Sequence, residues 1–259
     1  MTYVIAVANQ KGGVGKTTTV ISLGGALVEM GKEVLLVDLD AQANLTLSAG
    51  CDPAKVHGSI ADILLNSANL YSVSRETTIS GLDLVPANSE MELAERFLPI
   101  RQSYEYVLQK SIDGRGIYDY ILLDCPPSVG AVTLNALAAA NLLIIPTQPE
   151  YFSAHALHSM LATARRVRSQ FNPVLGYRIL ITLFDQRNRI HCEFSDQLHS
   201  TFKDNLFGTV IQLDTKLRES AVVGLPITHY FNRTRGTLQY RALAQELVEY
   251  VQEANRQPD

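Results

Sequence analysis

The sequence predicts an α/β domain: a mainly parallel, twisted sheet with helices on both faces. Seven short apolar runs, rich in Val, Ile and Leu, have the length and composition of strands buried on both sides. Amphipathic stretches of helical period separate most of them, and strand–helix alternation favours parallel pairing through crossover helices. No linker rich in Pro, Gly or Ser and no internal repeat divides the 259 residues. One domain over 1–259 is therefore expected, with a flexible tail from about 255 to 259.

The elements follow in order. Residues 3–8 are continuously apolar and read as the first strand, and 16–30 as the first helix. Strands are expected at 34–38 and 82–86, then a helix at 89–110. The runs 34–38 and 120–124 each close on an aspartate, Asp38 and Asp124, so both carboxylates project from the C-terminal edge of the sheet. A helix at 129–139, a strand at 142–146, a helix at 153–170 and a strand at 178–183 come next. A helix at 193–204, a weak strand at 209–211 and a helix at 237–254 complete the chain.

Composition removes several function classes. The chain carries 22 Lys plus Arg against 26 Asp plus Glu, a formal charge of −4, which excludes a highly basic histone-like protein. With 16 Gly, 10 Pro and 3 Cys it is neither collagen-like, disordered nor a disulfide scaffold. Cys51, Cys125 and Cys192 have no CxxC spacing and suit a reducing compartment. The first residues lack a positive signal-peptide region, and the apolar stretch 131–145, interrupted by Thr133, Asn135 and Asn141, is shorter than a membrane span. A cytoplasmic protein is expected.

The segment Asn9-Gln10-Lys11-Gly12-Gly13-Val14-Gly15-Lys16-Thr17-Thr18 joins the first strand to the first helix. Its glycines let the backbone wrap and turn N–H groups toward phosphate oxygens, and the helix N-terminus adds positive potential. Lys16 is placed to reach the β- and γ-phosphates and Thr17 to offer its hydroxyl to Mg²⁺. The bland alternative is a glycine-rich turn with two solvated lysines, which the preceding strand and following helix disfavour. The ordinary GxxxxGK[ST] pattern fails at Gln10; the fitting variant is KGGxGKT, with Lys11 added. A P-loop NTPase fold follows, with Lys11, Gly12, Gly13, Val14, Gly15, Lys16, Thr17 and Thr18 as nucleotide contacts. Asp124 could hold Mg²⁺ or its bound water, and Asp38 and Asp40, two apart in an extended segment, could face one site.

KGGVGKTTT resembles the deviant Walker A box of the ParA/MinD superfamily of partitioning ATPases. Asp38-Leu39-Asp40-Ala41-Gln42-Ala43-Asn44 resembles its switch I, usually DxDPQGN, and Asp124-Cys125-Pro126-Pro127-Ser128 its Walker B and switch II segment. The 146–151 segment and the blocks at Leu217-Arg218-Glu219-Ser220 and Gly224-Leu225-Pro226-Ile227 continue the likeness, from Tyr3 to about Val251. The resemblance implies ATP and Mg²⁺ as cofactors, Asp40 orienting the attacking water, and Asp38 in the metal's outer shell or in switch coupling. It also implies that Lys11 crosses to a partner's nucleotide in an ATP-sandwich homodimer, which hydrolysis separates. Ala41 and Ala43 replace the usual Pro and Gly, and Gln212-Leu213-Asp214 the usual Pro-Arg-Asn beside the adenine, leaving Gln212 as the base-contact candidate.

Members of this superfamily differ in what they bind. A MinD-like membrane helix would be basic and amphipathic, whereas here Arg241 and Arg256 face Glu246, Glu249 and Glu253, and Leu243, Leu247, Val248 and Val251 suit packing on the core. No iron–sulfur ligand pattern is present, and without a helix-turn-helix in the residues before Tyr3 sequence-specific operator binding is not expected. From Arg165 to Arg241 there are 12 Lys plus Arg against 6 Asp plus Glu, while the remainder holds 10 against 20. That asymmetry suggests nonspecific binding of double-stranded DNA through its phosphates, with Lys216 and Arg218 first among candidates and Arg235 and Arg241 next. The expected protein is a nucleoid-associated ATPase that moves or positions a plasmid, a chromosome or an organelle such as a carboxysome. A ParB-like or carboxysome-type adaptor would stimulate it, and no membrane would be involved.

Overall fold

The computed structural model describes residues 2–112 and 116–256. The strands are β1 (Tyr3–Val7), β2 (Val34–Asp38), β3 (Arg75–Glu76), β4 (Leu82–Val85), β5 (Tyr120–Asp124), β6 (Leu142–Thr147) and β7 (Gly176–Ile181). They form one sheet in the order β3-β4-β2-β5-β1-β6-β7, parallel except for the short edge strand β3. Early helices are α1 (Lys16–Glu29), α2 (Asn44–Ser48), α3 (Ile60–Asn66), α4 (Leu70–Val73), α5 (Met91–Phe97) and α6 (Val107–Ile112). Later ones are α7 (Ala131–Ala139), α8 (Tyr151–Gln170), α9 (Arg189–Phe202), α10 (Thr215–Val223), α11 (Ile227–Tyr230) and α12 (Arg235–Arg256).

Because strand side chains alternate, each strand feeds two cores. Val4, Ala6, Leu35, Val37, Ile121 and Leu123 pack with α3, α5, α7 and α8. Ile5, Val7, Val34, Leu36, Leu122 and Ile144 pack with α1, α11 and α12. Burial on both faces explains why the strands read as unbroken apolar runs. In α1, Gly25 permits a close approach: a Cβ there would lie 2.5 Å from Cβ of Pro226.

Three expectations are corrected. The helix expected at 89–110 is divided into α5, 3₁₀ turns at Leu98–Ile100 and Tyr104–Tyr106, and α6. Pro99 lacks an N–H and opens the first turn, and Ser103 takes a left-handed φ of 53°. The weak strand expected at 209–211 does not form: the Ile211 amide bonds the Ile181 carbonyl, its carbonyl accepts from the Phe184 amide, and a single bridge joins Phe184 to the following Gln212. The expected helix at 193–204 starts earlier, at Arg189, because the Asn188 side chain accepts a hydrogen bond from the Ile190 amide and caps it. Of the tail expected at 255–259, residues 255 and 256 close α12, and 257–259 lie outside the described residues.

Candidate nucleotide and metal site

The C-terminal ends of the central strands β5, β1 and β6 converge on the glycine-rich loop, which lies between β1 and α1. Asn9, buried, pins its entry: the side-chain amide donates to the Pro146 carbonyl at 2.7 Å, while its oxygen accepts from the Lys11 amide at 3.0 Å. The Thr182 hydroxyl donates to the Val14 carbonyl at 2.8 Å and ties the loop to the end of β7. Gly13 and Gly15 take left-handed φ values of 73° and 84°, and a Cβ at Gly12, Gly13 or Gly15 would meet no heavy atom within 4 Å. The loop is thus an open cradle beneath the α1 N-terminus, shaped as an anion site requires.

Lys16 is 8 % exposed and its Nζ lies 3.4 Å from the Lys11 carbonyl. Burial lowers its pKa, and the charges of Asp124, Cys125 and Asp40 act in the opposite direction. The Thr17 hydroxyl donates to Oδ2 of Asp124 at 2.7 Å. Oδ1 of Asp124 is buried and accepts no hydrogen bond. Burial and the nearby charge of Asp38 raise the Asp124 pKa, against the Thr17 hydrogen bond and Lys16. A buried carboxylate with one unpaired oxygen, its other oxygen bonded to a threonine hydroxyl, is the oxygen donor set a hard divalent cation takes, so these residues fit Mg²⁺.

Asp38 and Asp124 are register partners on β2 and β5. Beyond β2 the Leu39 amide still bonds the Asp124 carbonyl, and the chain turns only after Asp40, with the Ala43 amide bonded to the Asp40 carbonyl, so Asp38, Asp40 and Asp124 stand close enough for their charges to interact. Asp38 points inward, its Oδ2 accepting from the Thr46 amide and hydroxyl at 2.8 and 2.7 Å and its Oδ1 from the Asp40 amide. It locks the strand end to α2, and both of its carboxylate oxygens have partners within the chain. Asp40 lines the open cavity instead.

That cavity measures about 890 Å³, within the range of small-molecule sites, and extends from the glycines and Asp40 to Leu183, Ile211, Leu213 and Asp214. Gln212 does not line it; its side-chain oxygen accepts from Arg235 at 3.0 Å. Ile211 and Leu213 reach the cavity because alternate residues of this extended segment face it, and Gln212 between them turns away. At that edge the cavity is lined by Ile211 and Leu213 together with Asp214 and Thr215, and the Gln212 side chain is engaged elsewhere.

Lys11 is turned away from Lys16's site. Its Nζ lies 2.5 Å from Oε2 of Glu150 and 3.2 Å from the Ser153 hydroxyl, at the start of α8. Among the DNA candidates, Lys216 pairs with Glu219 at 2.6 Å, and Arg241 grips both carboxylate oxygens of Glu29 at 2.7 and 2.8 Å. Arg235 is exposed beside Gln212, and Arg218 is exposed at the cavity mouth. Asn9, Thr46, Glu150 and Thr182 are site residues that sequence reasoning missed. Asn9 and Glu150 had a signal, standing in the quoted 9–18 and 146–151 segments, whereas Thr46 and Thr182 had none.

Residues 2–177 match the family described as AAA domain. The chain is 39% identical over 250 residues to the sporulation initiation inhibitor protein Soj of Bacillus subtilis, covering 96% of this chain and 99% of that protein. It is 34% identical over 249 residues to the chromosome partitioning protein ParA of Caulobacter vibrioides, covering 95% and 93%. Among solved structures, cobyrinic acid a,c-diamide synthase of Mycobacterium smegmatis with a bound ATP analogue and magnesium superposes with a TM-score of 0.85 at 34% identity, covering 100% and 99%. The septum site-determining protein MinD of Pyrococcus horikoshii with Mg-ADP gives 0.76 at 28%, covering 95% and 96%. No described helix is long and apolar enough to cross a membrane. The KGGxGKT phosphate loop, the register-paired Asp38 and Asp124 and the nearly full-length likeness to Soj and ParA agree: the chain belongs to the ParA/MinD superfamily of AAA-domain ATPases.

Proposed function

We propose that the chain is a Mg²⁺-dependent ATPase that dimerises on ATP, binds double-stranded DNA without sequence preference, and positions or segregates a cargo. The observation that carries the catalytic part is the unpaired, buried Oδ1 of Asp124 beside Thr17 and the open glycine cradle. Hydrolysis adds water to the γ-phosphorus, breaks its bond to the bridging oxygen and releases ADP and phosphate. Mg²⁺ neutralises phosphate charge when bound. Thr17 and Asp124 hold it, Lys16 and the loop amides bind the phosphates, and Asp40 orients the water. Lys11 leaves Glu150 to reach the nucleotide of a second copy, so that dimerisation completes the site.

The DNA and cargo parts rest on the family, on relatives named for chromosome partition, and on the cationic 165–241 segment. Buried Leu243, Leu247, Val248 and Val251 commit the apolar face of α12 to the protein's own core and favour DNA over a membrane as the dimer's surface. The adaptor is a ParB-like or organelle-type protein whose binding speeds hydrolysis and release, and the ATP-bound form sits on the nucleoid.

The test is phosphate release with and without Mg²⁺, alongside DNA mobility shift and liposome co-sedimentation in ATP, ADP and no nucleotide across a salt series. Mg²⁺-dependent turnover and ATP-specific, salt-sensitive DNA binding are expected. Binding to liposomes but not DNA would replace the reading with a membrane-cycling one.

A further inference from the structure

Switch II connects the metal-holding Asp124 to α7 through residues 125–130, and α7 begins without a cap of its own. Gly130 at its N-cap offers no side-chain acceptor, and the first turn contains no acidic residue. The orphan amides of that turn are met from another element. Glu95 of α5 reaches across, Oε1 accepting from the Ala131 amide at 2.9 Å and Oε2 from the Val132 amide at 3.1 Å. A bidentate carboxylate on two helix N-terminal amides is a charge-assisted contact reinforced by the helix dipole.

Gly130 makes the approach possible. Its φ of −99° needs no glycine, yet a Cβ would lie 1.4 Å from Oε1 of Glu95, and the three nearest heavy atoms all belong to Glu95. A methyl at 130 would therefore have to displace the Glu95 carboxylate.

We infer that Glu95 is a positioning residue that sets switch II against the nucleotide by clamping the start of α7. The inference rests on the ATPase reading for its catalytic consequence. At one end of the segment the Cys125 amide is bonded to the Val7 carbonyl, and at the other Glu95 holds Ala131 and Val132. Between them Pro126 and Pro127 limit backbone freedom, and the Thr133 hydroxyl donates to the Ser128 carbonyl at 2.6 Å. A short, stiff segment fixed at both ends transmits the placement of its anchors. Pro127 lines the nucleotide cavity, so the position of α7 is felt there. Glu95 does not line the nucleotide cavity and acts only through this geometry.

The experiment compares Glu95→Gln, Glu95→Ala, Gly130→Ala and the double substitution Glu95→Ala/Gly130→Ala with the unmodified chain, each checked by melting. Gln keeps one acceptor oxygen and is expected to be intermediate. Glu95→Ala and Gly130→Ala each should lower kcat roughly tenfold, a loss of the size small misplacements cause, while KM stays within about twofold. In nucleotide-free protein, amide exchange over 125–134 should accelerate in both. The double variant should match Glu95→Ala alone, because removing the carboxylate also removes what the new methyl strikes. Additive defects, unchanged exchange in Glu95→Ala, or KM rising in step with the loss of kcat would overturn the clamp. If the unmodified chain hydrolyses no ATP, the ATPase reading fails on its own, and exchange in nucleotide-free protein still decides whether Glu95 positions the segment.

Discussion

Ala43 stands in a left-handed conformation, φ 52°, as the N-cap of α2, where the family's switch I usually has glycine. A non-glycine residue there costs roughly 1–2 kcal/mol. Glycine would remove that strain but add about 0.4–1 kcal/mol of unfolded-chain entropy and forfeit about 0.8 kcal/mol of methyl burial, since Ala43 is 3 % exposed. The terms nearly cancel. Ala43→Gly should therefore leave the melting temperature within a few degrees while accelerating amide exchange over 40–46; a large change in stability would show the balance misjudged. Asp124 makes the complementary case. Its carboxyl binds a proton more tightly in the folded, metal-free chain than in the unfolded one, because burial and Asp38 disfavour its charge. The stability this contributes is complete below the unfolded pKa of about 3.9 and is lost as pH rises through the folded value. In EDTA, Asp124→Asn should melt higher than the unmodified protein at neutral pH, by about 2–4 °C per kcal/mol relieved, and equally near pH 4. With Mg-ADP the order should invert, since the variant has lost the oxygen that takes the metal. A variant that melts lower in EDTA at neutral pH would refute the account.

At the scale of elements, the parallel strands were legible because both of their faces are buried, so their apolar runs are local and continuous. The helix expected at 89–110 was not, because Met91, Ala94 and Leu98 keep helical spacing while Pro99 and Ser103 break the backbone beneath it. In the site, the glycine loop and the three aspartates were legible from local pattern and family likeness. The contacts of Asn9, Thr182 and Glu95 were not, since their partners lie 137, 168 and 36 residues away and only the fold brings them together. The start of α8 shows what such contacts control. Glu150 holds Lys11 in a pair whose side chains are 25% and 44% exposed, which limits it to about 0.5–1 kcal/mol. If dimerisation must break that pair in each protomer, about 1–2 kcal/mol in all, Glu150→Gln should strengthen ATP-dependent dimerisation about five- to thirtyfold in sedimentation experiments, with the gain shrinking at high salt. Lys11→Ala should abolish ATP-dependent dimerisation or turnover. Equal dimerisation by Glu150→Gln and the unmodified chain would mean the pair is no barrier.

For the whole molecule, the net charge of −4 conceals a basic 165–241 segment, yet sequence alone could not tell which cations are free. Lys216 and Arg241 ranked as candidates because of block and position, but both are paired within the chain, Lys216 with Glu219 and Arg241 with Glu29. Moving either onto a phosphate means giving up a carboxylate partner, so the net gain is small. Arg218 and Arg235 are exposed, and among the described residues neither has a carboxylate partner. They become the leading candidates. Each phosphate contact releases counterion and contributes about 0.9 to the slope of log K against log salt. Arg218→Ala and Arg235→Ala should each flatten that slope by about one unit per protomer and weaken all DNA sequences alike, with ATP turnover in the absence of DNA retained for Arg235→Ala. Arg241→Ala should instead lower the melting temperature, by freeing Glu29 at the α1–α12 contact, and change the salt slope little. A slope that falls for Arg241→Ala but not for Arg218→Ala or Arg235→Ala would move the DNA surface from the cavity mouth to the α1–α12 face, where the Glu29 pair would have to open on binding.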